Sequence, residues 1–374
     1  MIRLVGVFLV ALSLAVDAAS PRAPTVVGKA WLVADLTSGQ LLLAHKADER
    51  FEPASLTKLM TAYVVFSALR EKKLSLNQQV KVSPSALKAS GGRMYLEARK
   101  PVTVDELIRG MVIQSANDAS IALAEALAGS EDAFAQQMNR EVSRLGMKNT
   151  RFMNSTGLPD AQQYSSAQDL YLLTAALIRD FPDEYGQYYS QKEFRYNNIS
   201  QPNRNRLLWV DPSVDGVKTG QTEAAGYCLI ASSRRGGRRL LTVLLGSTSE
   251  ATRAQESLRL LNWGYQFYDG VKLYSAGTPV KQIEVWKGAS RHVSVGVGTD
   301  LIVSVPKGEA DKLRAELVSQ QPLVAPLAKG QRVGVLRVTH DGKPFAEYPL
   351  IALEPVAQAG FFGRTWDTLR LWLK

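Results

Sequence analysis

The stretch FEPASLTKLM, residues 51–60, decides how this chain is read. It sets Ser55 three residues before Lys58, just after Pro53, at the head of the apolar run TAYVVFSAL. Proline suits the first helical position, where its missing N–H costs nothing, so the spacing predicts a helix start with the hydroxyl and the amine on one face. Burial of the following run disfavours an ammonium and turns Lys58 toward a proton acceptor, and the positive end of a helix would stabilise an oxyanion beside Ser55.

A lone Ser-x-x-Lys is a weak signal. The chain holds a second pair, Ser85 and Lys88 in SPSALKASGG, but that stretch runs into Gly91-Gly92 and offers its lysine no buried surroundings. The weight lies in two motifs downstream of Ser55. About sixty residues on stands IQSANDASIALAEAL, with Ser115-Ala116-Asn117 before an apolar helix. About a hundred residues further stands VDGVKTGQTEAAGYCLIAS, with Lys218-Thr219-Gly220 after a turn and before a strand. Ser-x-x-Lys, Ser-x-Asn and Lys-Thr-Gly in this order are the signature of penicillin-binding proteins and serine β-lactamases.

With the further stretches FMNSTGLPD, SAQDLYLLTAALIRDFPDEY and NRNRLLW, the chain resembles the D-alanyl-D-alanine carboxypeptidases among the low-molecular-mass penicillin-binding proteins, from about residue 25 to its last residue. The resemblance implies a peptidase that removes the terminal D-alanine from peptidoglycan stem pentapeptides, is acylated by β-lactams and needs no cofactor or metal. Roles follow by chemistry. Ser55 would attack the penultimate D-alanine carbonyl while Lys58 takes its proton, forming an acyl-enzyme. Ser115 would relay a proton to the leaving amine, and Asn117 would offer its amide to substrate and Lys58. Lys218 would keep Lys58 neutral by its charge and, with Thr219, would attract the substrate carboxylate. Gly220 would let a substrate strand lie close. By analogy the backbone N–H groups of Ser55 and Gln221 form the oxyanion hole. Gln221 departs from relatives that carry histidine, serine or threonine there. Arg204 matches a family arginine near the carboxylate pocket, and a surface arginine beside Arg206 is the other reading.

The remaining sequence bounds these expectations. At 374 residues the chain exceeds the roughly 250 to 300 at which single cores stop growing. Mixed strand-like and helical runs to about residue 272, then alternating strands such as HVSVGV, LIVSVP and RVGVLRV, predict a large α+β domain followed by a small all-β domain, and the resemblance implies that the first has the penicillin-binding protein/β-lactamase-like fold. Only ADKLRAEL looks helical there. The expected division is a secretory leader over 1–19, a serine DD-peptidase domain over 20–274, a β domain over 278–357 and an amphipathic helix over 358–374. The leader rests on MIRLVGVFLVALSLAVDA, too short an apolar run to span a bilayer comfortably. It implies export, and the resemblance, to a family whose members end in a similar amphipathic anchor, implies the periplasm and the outer face of the cytoplasmic membrane.

The tail, AGFFGRTWDTLRLWLK, puts Phe362, Trp366, Leu369 and Leu373 on one helical face, with Arg364, Asp367, Arg370 and Lys374 opposite and Leu371 on the wrong side. That pattern suits a helix lying in a membrane interface; the alternative is a helix docked on its own protein. The net charge of +10 suits an anionic partner or a solvated basic surface, and no nucleic-acid-binding signature accompanies it. Cys228, the single cysteine, reads as a buried small residue. His45, His292 and His340 fall outside the motifs, which disfavours a Ser-His-Asp hydrolase. A class A β-lactamase needs a deacylating glutamate, and the nearest match, Glu256 in ESLRLLN, has the wrong place and spacing. A catalytically silent wall-binding scaffold is the remaining alternative.

Overall fold

The computed structural model describes residues 21–319 and 321–372. The expected leader and the last two residues of the tail lie outside the described residues. A five-stranded antiparallel sheet forms the centre of the first domain, in the order Gln40–His45, Ala30–Asp35, Arg238–Ser247, Gly226–Arg235, Val214–Thr222. All six residues of Ala30–Asp35 are buried, because the sheet is covered on both faces. The period of two sorts them: Ala30, Leu32 and Ala34 join the main core, while Trp31 and Val33 pack with Leu244 and Leu260 under the helix Glu250–Phe267.

The helix Lys58–Arg70 runs through the main core, where Met60, Phe66 and their neighbours are fully buried. A helix apolar on all sides has nowhere else to go. It begins later than the sequence predicts. Pro53 precedes a single 3₁₀ turn, Ala54–Thr57, and the α-helix starts at Lys58. At about three residues per turn, positions three apart eclipse one another, so this turn sets Ser55 directly over Lys58.

The second domain is built on the sheet Lys281–Glu284, His292–Gly296, Lys343–Ala352, Arg332–His340, Leu313–Ser319. Asp341-Gly342 closes its tightest hairpin with φ of 50° and 73°, as the HDGK signal implies. Two expectations change. ADKLRAEL contributes only the 3₁₀ turn Ala310–Lys312; from Leu313 it is an edge strand, held by its full ladder with Arg332–His340. Helix-forming composition yields there to tertiary pairing. The strand Tyr268–Tyr274, assigned to the first domain, pairs with Leu301–Pro306, and Val271 and Leu273 pack against Val303 and Val305.

Candidate active site

Ser55 Oγ lies 3.2 Å from Lys58 Nζ, which also donates to Asn117 Oδ1 at 2.6 Å and to the Thr156 carbonyl at 2.5 Å. Lys58 is 1% exposed. Burial lowers its pKa to about 7, aided by the positive charge of Arg204 and opposed by Glu131 and Asp118. A neutral amine has two N–H bonds and one lone pair. Asn117 and Thr156 accept the two, which leaves the lone pair for the Ser55 hydroxyl.

Ser115 stands at φ 65°, ψ 35°, between the π-helical turn Gly110–Gln114 and the helix Asn117–Ala128. This left-handed residue redirects the chain at the cleft, a conformation that costs energy outside glycine. Its Oγ receives Lys218 Nζ at 2.8 Å, so a second serine–lysine pair is formed from the other two motifs. Lys218 is also buried and is held well below the usual lysine range by that burial, then by Lys58, Arg204 and Arg253. The positive charge of Arg204 adds to burial in lowering Lys58, and the repulsion between the Lys58 and Lys218 amines acts on both.

Lys218, Thr219 and Gly220 lie in the middle of Val214–Thr222, the edge strand of the sheet, rather than before a strand. One side of this strand pairs with Gly226–Arg235, so the other is open to an added peptide strand. Gly220 also makes a close contact within the protein. A Cβ there would meet Leu56 Cγ and the Pro53 carbonyl at 3.2 Å, so the glycine lets the edge strand press on the turn that carries Ser55. Thr219, Gly220, Gln221, Ser55, Ser115 and Arg204 line a common cleft of about 170 Å³. Arg204, exposed at its edge, donates from Nε to the Gln114 carbonyl at 3.0 Å. Arg206 does not line the cleft and pairs with Glu250, which does, at 3.1 Å. Ser85 and Lys88 are exposed on the one-turn helix Pro84–Leu87.

Two family models match the chain: D-alanyl-D-alanine carboxypeptidase over residues 17–249 and penicillin-binding protein 5, C-terminal domain, over residues 268–358. The chain belongs to the D-alanyl-D-alanine carboxypeptidase family. It is a hydrolase of that family, with the mixed helix-and-sheet peptidase domain and the C-terminal β domain of its relatives. It is 42% identical to the D-alanyl-D-alanine carboxypeptidase DacC of Escherichia coli K12, over 92% of this chain and 88% of that protein. It is 40% identical to DacA of the same organism, over 94% and 89%. Penicillin binding protein 5 from Haemophilus influenzae has a similar structure, with a TM-score of 0.86, 38% identity and coverage of 90% of this chain and 99% of that one.

In this family member the cleft also depends on residues outside the three motifs. Thr156 serves through its backbone carbonyl, which no side-chain pattern announces. Gly157, at φ 84°, packs on the turn that carries Ser55 so closely that a Cβ would lie 1.8 Å from the Ala54 carbonyl oxygen. Asp118 is buried and accepts the N–H groups of Met94, Leu96 and Ala119, holding the stretch after Gly91-Gly92 along the cleft. Asn117 fixes the same stretch: its Nδ2 donates to the Ser90 carbonyl at 2.6 Å, so one of the N–H bonds expected for substrate is used internally. Arg253 is buried beside the cleft and donates to the Gly220 carbonyl at 3.4 Å. In the sequence it is one arginine among several charged residues of the helix Glu250–Phe267, and no motif marks it. Glu256 shares that helix and pairs with Arg259 at 3.2 Å; it does not line the cleft.

Proposed function

We propose that the chain removes the terminal D-alanine from peptidoglycan stem pentapeptides through an acyl-enzyme on Ser55. The observation that carries this is the Lys58 amine, buried, with two acceptors for its N–H bonds and Ser55 at its remaining position. Lys58 takes the Ser55 proton as Oγ attacks the penultimate D-alanine carbonyl. The backbone N–H groups of Ser55 and Gln221 receive the oxyanion. Ser115, bonded to Lys218, passes a proton to the departing amine, and free D-alanine leaves. Water then cleaves the ester and restores the serine. Thr219 and Arg204, joined by Arg253, hold the terminal carboxylate against the open edge strand.

A β-lactam would acylate the same oxygen. The related penicillin-binding protein D2 of Listeria monocytogenes, 29% identical over 65% of this chain and 99% of that one, with a TM-score of 0.60, is known in an ampicillin-bound form. The test is mass analysis of products from a pentapeptide ending in D-Ala-D-Ala, together with penicillin labelling. Release of one D-alanine and a stable adduct on Ser55 are expected; rapid penicillin hydrolysis would point to a β-lactamase, and no adduct to a silent scaffold.

The chain is further proposed to act outside the cytoplasm, with residues 1–19 as a cleaved leader, 20–274 as the peptidase unit, its last strand Tyr268–Tyr274 pairing with the β domain over 278–357, and 358–374 as a peripheral membrane anchor. No described helix is long and apolar enough to cross a membrane. The helix Phe361–Trp372 touches the β domain with its polar side: Asp367 accepts the Lys287 N–H at 2.7 Å and Arg370 lies over the Trp286 ring. Phe361, Phe362, Trp366, Leu369 and Trp372 are left exposed, and Leu371, on the wrong side of the apolar stripe, is half-buried. Aromatic side chains turned outward beside arginines support a helix lying in the lipid interface.

A further inference from the structure

We propose that Glu131, which belongs to none of the motifs, is a positioning residue for the Lys58 base: it fastens the turn that receives the amine and keeps a negative charge behind it. This rests on Lys58 being the base of the reaction proposed above. Glu131 opens the helix Glu131–Arg144, and its Oε1 accepts both the N–H of Ser155, at 3.1 Å, and the Ser155 hydroxyl, at 2.6 Å. Ser155 is fully buried, and its own carbonyl accepts the Thr61 hydroxyl at 2.6 Å, which ties the turn to the helix of Lys58. The next carbonyl, of Thr156, is the one that receives Lys58 Nζ, and the next residue, Gly157, abuts Ala54 and the backbone nitrogen of Ser55. One carboxylate oxygen therefore sets the place of both the base and the nucleophile.

The charged groups around the amine come from every element packed on it. Arg204 reaches it from the cleft edge and Lys218 from the edge strand; Asp118 lies behind Asn117, and Glu131 behind Ser155. Burial and Arg204 favour the neutral amine, whereas Glu131 and Asp118 favour the charged one. Asp118 already satisfies three backbone N–H groups, so altering it would disturb the cleft wall. Glu131 can be neutralised with less collateral change, because a glutamine oxygen still accepts from Ser155.

The test is the rate of Ser55 acylation by a fluorescent penicillin, measured on the full chain from pH 5 to 9, for the native enzyme, Glu131→Gln and Glu131→Ala. Loss of the negative charge lowers the proton affinity of Lys58, so the acid limb of Glu131→Gln should move to lower pH by about half a unit or more, with a plateau within about threefold of native. Glu131→Ala also frees the turn, and its plateau should fall by about tenfold or more. A Glu131→Gln profile superimposed on the native one overturns the inference, and so does a native plateau in Glu131→Ala. Thermal melts accompany both variants, and if the alanine variant does not fold, the glutamine profile decides. A native enzyme that forms no adduct on Ser55 at any pH would instead remove the function on which the inference stands.

Discussion

Ser304 of the second domain donates its hydroxyl to Asp35 of the first at 2.5 Å, in a site where Asp35 is fully buried. Arg238 meets the same carboxylate oxygen at 2.5 Å, and Gln40 exchanges two hydrogen bonds with the Ser304 backbone. The β domain is thereby keyed to the first hairpin of the peptidase sheet. Neutralising Asp35 leaves the largely buried Arg238 without its counter-ion, a change that costs about 3 to 5 kcal/mol. Asp35→Ala should accordingly lower the midpoint of urea unfolding, while penicillin labelling in the absence of urea persists. An unchanged midpoint would mean that the two domains are joined by something other than this cluster.

Ser55→Ala should abolish both D-alanine release and covalent penicillin labelling, and Ser85→Ala should change neither. The two serines have the same spacing to a lysine, but only Ser55 faces a buried one; Lys88 is exposed. Labelling that survives in the Ser55 variant would move the nucleophile elsewhere.

The pH dependence follows from Lys58. Its amine must be neutral to accept the serine proton, and burial lowers its pKa to about 7, so acylation should decline as pH falls through that value. Lys58→Arg should fail as badly as Lys58→Ala, because a guanidinium stays protonated throughout this range. Stopped-flow acylation rates across pH provide the measurement, and an arginine variant near the native rate would require another base.

Gly157→Ala places a methyl group within 1.8 Å of the Ala54 carbonyl oxygen and forces alanine into a left-handed conformation at φ 84°. The nucleophile turn has to move. A loss of acylation of about a hundredfold or more is expected, since small displacements of reacting groups are costly. The second-order labelling rate tests this; a native rate would show that the turn accommodates the methyl group.

Deleting residues 359–374 should release an enzyme that stays out of the membrane fraction and still cleaves a D-Ala-D-Ala peptide. The described part of this helix contributes no buried residue to the core. Retention in the membrane fraction, or unfolding of the truncated chain, would show that the helix is not the anchor.

The reach of the sequence is clearest at the strands and at the three motifs that meet in the cleft. Ala30–Asp35 and its hairpin partner, the alternating β domain and the Asp341-Gly342 turn follow from hydrophobic period and turn chemistry, which are local. Ser55, Lys58, Ser115, Asn117, Lys218 and Thr219 could be named because each motif is a short run of residue types with one chemical use. What escaped was non-local or carried by the backbone. The helical look of ADKLRAEL yielded to a ladder with a strand that begins at Arg332, and Tyr268–Tyr274 found its partner at Leu301–Pro306. Thr156 is felt through a carbonyl, Gly157 and Gly220 through the side chain they lack, and Glu131 through a serine 24 residues away. Which groups could do the chemistry, and the order in which the chain presents them, are written in short local runs of residue types. That a buried amine between Asn117 and Thr156 is left with its lone pair on Ser55 follows only from the folded arrangement, because burial, charge and hydrogen-bond geometry there come from segments distant in the chain.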